Sequence, residues 1–112
     1  MIIGIGIDIV DIPRFELIVS EQKFLHKYFS KNELNLQIES LAGRFAAREA
    51  FFKALGDQKI FDLADIEVFT QPNGAPKFNF SNELAEYVAN KTVHLSISHS
   101  GDSAIAFVII EN

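Results

Sequence analysis

Arg44-Phe45-Ala46-Ala47-Arg48-Glu49-Ala50-Phe51-Phe52-Lys53-Ala54-Leu55-Gly56 is the strongest helix signal in the chain. Its Ala, Phe, Leu, Arg, Glu and Lys content favours helix, no proline interrupts it, and Gly56 suits the positive-φ position that ends one. At about 100° per residue, Glu49 and Lys53 form an i, i+4 pair with Phe45 and Phe52 on one side and Ala46 and Ala50 on the other. Ala47, Phe51, Ala54 and Leu55 make a second apolar sector. A helix apolar around most of its circumference is usually buried, and charges taken out of water need partners. Two readings of Glu49 and Lys53 stand side by side. They form a solvated pair worth about 0.3–0.5 kcal/mol, or Glu49 holds a cation and Lys53 an anion such as phosphate. A second acid elsewhere in the chain has to decide.

With 112 residues and 48% hydrophobic content, residues 1–112 are expected to form one compact domain with a real core. Eleven phenylalanines are many for one small core, so core filling is accompanied by a hint of a subunit interface. The absence of cysteine excludes disulfides, thiolate metal sites and a cysteine nucleophile. The N-terminus has no basic region and carries Asp8 and Asp11, unlike a secretion signal, and no run reaches membrane-spanning length. A soluble cytoplasmic protein with no membrane partner is the expectation. A net charge of −5 argues against general nucleic-acid affinity, so an acidic partner must meet a local basic patch.

Upstream of the helix, residues 1–10 alternate with period two: Ile3, Ile5, Ile7 and Ile9 share one face, and Gly4, Gly6 and Asp8 the other. This predicts a strand with a bare face ending in an acid. Such glycines often admit a close backbone or ligand, although Asp8 reads equally well as a strand-end residue bonding nearby amides. After Pro13 the pattern turns helical, with Phe15 to Tyr28 supplying a buried face and Arg14, Lys23, His26 and Lys27 the nearest thing to a basic patch. Ser30-Lys31-Asn32-Glu33 fits a capping box and predicts a short helix, followed by helix and loop up to Gly43. Downstream, residues 65–69 and 77–80 read as strands around the turn Gln71-Pro72-Asn73-Gly74-Ala75-Pro76. Ser81 is expected to cap a helix to about Asn90. The chain closes with strands over 92–98 and 104–110, the second buried on both faces, around a turn in which His99 reads as an exposed polar residue.

Gly6-Ile7-Asp8-Ile9-Val10, Arg14 and the helix from Arg44 to Gly56 together resemble the holo-[acyl-carrier-protein] synthases, the small bacterial 4′-phosphopantetheinyl transferases. The resemblance runs nearly end to end, taking in Asp65-Ile66-Glu67-Val68, Asn73-Gly74-Ala75-Pro76 and Ser96-Ile97-Ser98-His99. It implies an α+β fold, an antiparallel sheet packed against helices, in a homotrimer with active sites between subunits. The implied activity moves 4′-phosphopantetheine from coenzyme A to a serine of apo acyl carrier protein, releasing 3′,5′-ADP, in support of fatty acid biosynthesis. Mg²⁺ is the implied cofactor, held by Asp8 and Glu49, with Lys53 on phosphate as the third catalytic residue. Arg48, Lys53, Gly74, Pro76 and His99 are the implied coenzyme A contacts, and Arg14 the contact to the acidic carrier protein. The chemistry agrees, since Mg²⁺ takes one or two carboxylates together with phosphate oxygens and waters.

This chain departs from the family pattern in three places: Arg48 replaces a usual lysine, the segment between Glu33 and Arg44 is short, and Asp57-Gln58-Lys59-Ile60 lacks an expected glycine. Two roles compete for Arg48, a dispensable surface charge or a side chain that reaches the site's edge and grips a coenzyme A phosphate, and the second is the expectation. Two other readings keep the fold: a non-catalytic carrier-protein or nucleotide-binding module, and a Mg²⁺-dependent phosphohydrolase that delivers phosphopantetheine to water.

Overall fold

β1 (Ile2–Asp11) carries the two glycines that let the helix and the sheet come together. The computed structural model describes residues 1–56 and 61–112, so the departure at residues 57–60 lies outside the described residues. β1 pairs antiparallel with β5 (Ser103–Glu111), and β5 with β4 (Thr92–Ser100), giving a three-stranded sheet in the order β1-β5-β4. α3 (Ile38–Leu55) packs on this sheet. A Cβ on Gly6 would stand 1.8 Å from the Ala50 carbonyl oxygen, and one on Gly4 1.9 Å from that of Ala54. The bare face of β1 is therefore the face that the helix backbone touches, and only hydrogen fits there. Opposite α3, Ala104, Ala106, Val108 and Ile110 of β5 are fully or almost fully buried.

β2 (Ile66–Thr70) and β3 (Pro76–Phe80) form a separate antiparallel pair with Val68 opposite Phe78. The tight turn between them has Gly74 at φ +89°. Phe51 of α3 packs into this pair, 5.4 Å from Phe78 and 4.9 Å from Phe80, ring centre to ring centre. At the other side, α1 (Ile12–Val19) and α2 (Gln22–Tyr28) close over the helix, with Phe15 5.4 Å from Phe45 and 6.0 Å from Phe24. α4 (Asn82–Val88) buries Leu84 against the same core. Most phenylalanines are thus core-filling, and the fold is α+β with antiparallel sheets packed against helices.

Several local expectations change in three dimensions. The first helical region is two helices, broken at Ser20 and Glu21. Glu33 does accept the Ser30 backbone N–H at 3.0 Å, as in a capping box, yet residues 31–36 form turns because its carboxylate is drawn to arginines of α3. α3 begins at Ile38 and runs through Gly43, whose missing side chain makes room for Ile97 and His99. Ser81 gives α4 no side-chain cap and instead reaches Asp65, 3.3 Å away. His99 lies in β4, not in the turn, which is displaced to Gly101 and Asp102. β5 is buried on one face only: Ile105 and Phe107 face outward, beside the exposed Ile5, Ile7 and Ile9 of β1.

Candidate active site

Period-two alternation puts Asp8 on the inner face of β1, two residues beyond Gly6, so the close approach of α3 brings it to the helix. Glu49 meets it from α3, one residue before Ala50. Both carboxylates line a cleft of about 540 Å³, together with Asp11, Arg14, Tyr28 and Phe45. Lys53, one turn beyond Glu49, donates to the Ile7 carbonyl at 2.9 Å and to Asp8 Oδ1 at 3.1 Å. Burial raises the pKa of Glu49 above its ordinary value, the charge of Asp8 raises it further, and Lys53 pulls it partly back. The second acid that the helix required is thus Asp8, and the i, i+4 lysine bonds across to that acid.

Two carboxylates lining one cleft suit Mg²⁺, which keeps several waters and completes its shell with phosphate oxygens. Among the described residues no group of three or more His, Cys, Asp or Glu side chains is arranged to hold a metal ion by itself. Arg14 is exposed at the start of α1, on the lip of the same cleft.

Gly74, Pro76 and His99 come together elsewhere, in a pocket of about 160 Å³ that also holds Ser40, Thr70 and Arg44. Sequence reasoning singled out the first three and missed Arg44. Its side chain is only 13% exposed, and its guanidinium is fixed by the Val68 carbonyl, by Thr70 Oγ1 at 3.0 Å and by Glu33 Oε2 at 3.5 Å. The available signal was its spacing, four residues from Ser40 and from Arg48, which marks a polar stripe on an otherwise apolar helix. Arg44 and Glu49 are five residues apart and so lie about 140° apart around α3 at about 100° per residue. The carboxylate cleft and the cationic pocket therefore open on different sides of one helix.

Arg48 joins neither. Its side chain is fully buried, paired with the equally buried Glu33, and it donates to the Ile66 carbonyl at 3.1 Å and the Arg44 carbonyl at 3.4 Å over the ring of Phe29. The expectation that it grips a coenzyme A phosphate is corrected by that burial: the guanidinium points into the core and spends its charge on Glu33.

Paired carboxylates with a lysine beside a helix-packed antiparallel sheet are the features of a class, and residues 4–108 match the 4′-phosphopantetheinyl transferase superfamily. Holo-[acyl-carrier-protein] synthase from Clostridium kluyveri is 44% identical over 99% of this chain and 91% of its own length. Among solved structures, the synthase from Bacillus anthracis in complex with coenzyme A (3′,5′-ADP) is 40% identical with a TM-score of 0.81, covering 99% of this chain and 97% of that one. The Helicobacter pylori synthase in complex with coenzyme A is 36% identical with a TM-score of 0.84, covering 96% and 99%. The chain belongs to the holo-[acyl-carrier-protein] synthase family and is an enzyme of that kind.

Proposed function

We propose that this enzyme transfers 4′-phosphopantetheine from coenzyme A to a serine of apo acyl carrier protein, with Mg²⁺, supplying holo carrier protein to fatty acid biosynthesis in the cytoplasm. The observation that carries the reading is the convergence of Asp8, Glu49 and Lys53 on one cleft from two elements far apart in sequence. Asp8 and Glu49 would hold Mg²⁺, which when bound supplies charge neutralisation at the pyrophosphate. Lys53, exposed enough to swing from Asp8, then meets phosphate oxygens as negative charge builds on them. The serine oxygen bonds to the β-phosphorus of coenzyme A, the bond from that phosphorus to the bridging oxygen breaks, and 3′,5′-ADP leaves. The serine proton passes to a carboxylate of the pair or to an adjacent water. Phe45 and Tyr28 wall the cleft and limit access of bulk water that would otherwise compete with the serine.

The cationic pocket of Arg44, Gly74, Pro76 and His99 suits the nucleotide end of coenzyme A, and Arg14 on the cleft lip suits an acidic carrier protein. Assembly as a homotrimer with sites between subunits brings the two halves together. Supporting this, the outer sheet face of Ile5, Ile7, Ile9, Ile105 and Phe107 is apolar and exposed, and Ile9 also lines the carboxylate cleft. In this reading residues 1–112 act as a single catalytic domain. Calorimetric titration with Mg²⁺ and assay of 3′,5′-ADP release test it. Asp8→Asn and Glu49→Gln are each expected to lose both signals while staying folded, and near-normal release by either in saturating Mg²⁺ would rule out the metal assignment.

A further inference from the structure

Glu33 is a fully buried carboxylate with no part in the chemistry above, in a loop whose own helix does not form. A buried charge of this kind is costly unless each oxygen is answered, and here each is. Oε1 takes the Ser30 N–H and the Arg48 guanidinium, and Oε2 faces Arg44 Nη1 at 3.5 Å. Arg44 and Arg48 are one helical turn apart, so without an anion between them their like charges would push the less buried one outward. That one is Arg44, the cation of the Gly74, Pro76 and His99 pocket.

We propose that Glu33 is a positioning residue for coenzyme A: it neutralises Arg48 behind the pocket and holds the Arg44 fork against β2, facing the pocket, before any ligand arrives. This rests on the coenzyme A reading given above. The geometry divides the work unequally. Arg48 has the closer contact and absorbs most of the carboxylate's charge, whereas Arg44 is oriented chiefly by neutral acceptors, the Val68 carbonyl and Thr70 Oγ1, with Glu33 at longer range. Arg44 thus keeps its positive charge for an anion while its side-chain freedom is already lost, and a phosphate binding there does not have to order it.

Because Glu33 acts through Arg44, its effect on ligand affinity must vanish when Arg44 is absent, which a purely structural acid would not show. The test measures the Kd of 3′,5′-ADP by calorimetry for the wild type, Glu33→Gln, Arg44→Ala and the double variant, with thermal melts confirming that each is folded. Glu33→Gln is expected to weaken binding about tenfold, to raise KM for coenzyme A similarly, and to leave kcat and KM for carrier protein unchanged. In the Arg44→Ala background the same change is expected to add less than about twofold. Unchanged affinity in folded Glu33→Gln, or an undiminished loss in the Arg44→Ala background, would overturn the proposal. If Glu33→Gln does not fold, Glu33→Asp, which keeps the charge but withdraws it by one methylene, goes through the same cycle under the same criteria. Failure of the wild type to bind 3′,5′-ADP would overturn the coenzyme A reading itself, and this proposal with it, whereas binding that ignores Glu33 overturns the positioning alone.

Discussion

Gly6→Ala adds one methyl group at the tightest contact between sheet and helix. Its Cβ would stand 1.8 Å from the Ala50 carbonyl oxygen and 2.8 Å from the Ala54 nitrogen, whereas real Cβ contacts stay above 3.0 Å. Relief requires β1 and α3 to separate locally by at least about 1.2 Å, the difference between 3.0 and 1.8 Å. Backbone lies on both sides, so no rotamer change absorbs the strain, and the cost falls at the top of the usual overpacking range, about 3 kcal/mol. Alanine also restricts the unfolded chain, which returns about 0.7 kcal/mol. The net loss is about 2 kcal/mol, or about 8 °C in Tm for a domain of this size. Thermal melts of both proteins by circular dichroism at one fixed concentration measure it, the fixed concentration removing any contribution from self-association. Separation of β1 from α3 also draws Asp8 from Glu49, so transferase activity per folded molecule falls as well. Gly74→Ala is the control: no atom lies within 4 Å of its Cβ, so only the cost of φ +89° remains, about 1 kcal/mol. A Gly6→Ala protein melting within 2 °C of wild type would refute the reasoning.

Arg48→Ala strips Glu33 of its buried partner and is expected to lower stability by about 3 kcal/mol in urea unfolding, and a folded variant within about 1 kcal/mol of wild type would count against the buried pair. The Glu49 pKa is raised above 4.5, so the native state holds a proton that the unfolded chain releases, and stability falls as pH climbs from 4.5 through the folded value. In metal-free buffer Glu49→Gln lacks that penalty, so its stability relative to wild type should grow over this window and then level off; a flat difference counts against the assignment. If the protein is the proposed homotrimer, Ile7→Asp on the exposed apolar face should convert it to a folded monomer by sedimentation; a persisting trimer would place the interface elsewhere, and a monomeric wild type would overturn the trimer proposal. Arg14→Glu should raise KM for carrier protein about tenfold or more with KM for coenzyme A unchanged, because like charges then oppose docking; the reverse pattern would remove Arg14 from the carrier interface.

The parts of this fold written in local pattern were legible before any coordinates. Alternation gave β1, composition gave the body of α3, and Pro72 to Pro76 marked the β2–β3 turn. The bare face of β1 pointed to a close approach, although only the packing shows that α3, not a ligand, fills it. What escaped was set by long-range pairing. Glu33 reads as a capping residue until Arg48, fifteen positions on, is found to take its carboxylate. The same pairing hid Arg48 from the site and left Arg44, one turn earlier, as the pocket cation. His99 sits in a polar Ser-His-Ser run that reads as a turn, yet an edge strand tolerates such residues, and pairing with β5 extends β4 through Ser100. Of the site, Asp8, Glu49 and Lys53 were readable as residue types at the right spacing, and their meeting required the fold.

Incubating the protein with apo acyl carrier protein, coenzyme A and Mg²⁺, and then weighing the carrier by mass spectrometry, tests the proposed transfer most directly. Transfer predicts that the carrier gains the mass of one phosphopantetheinyl group on its serine, that 3′,5′-ADP appears in equal amount, and that Glu49→Gln abolishes both. A carrier of unchanged mass while coenzyme A is cleaved would instead make this chain a hydrolase, and unchanged mass with coenzyme A intact would make it a binding module without turnover.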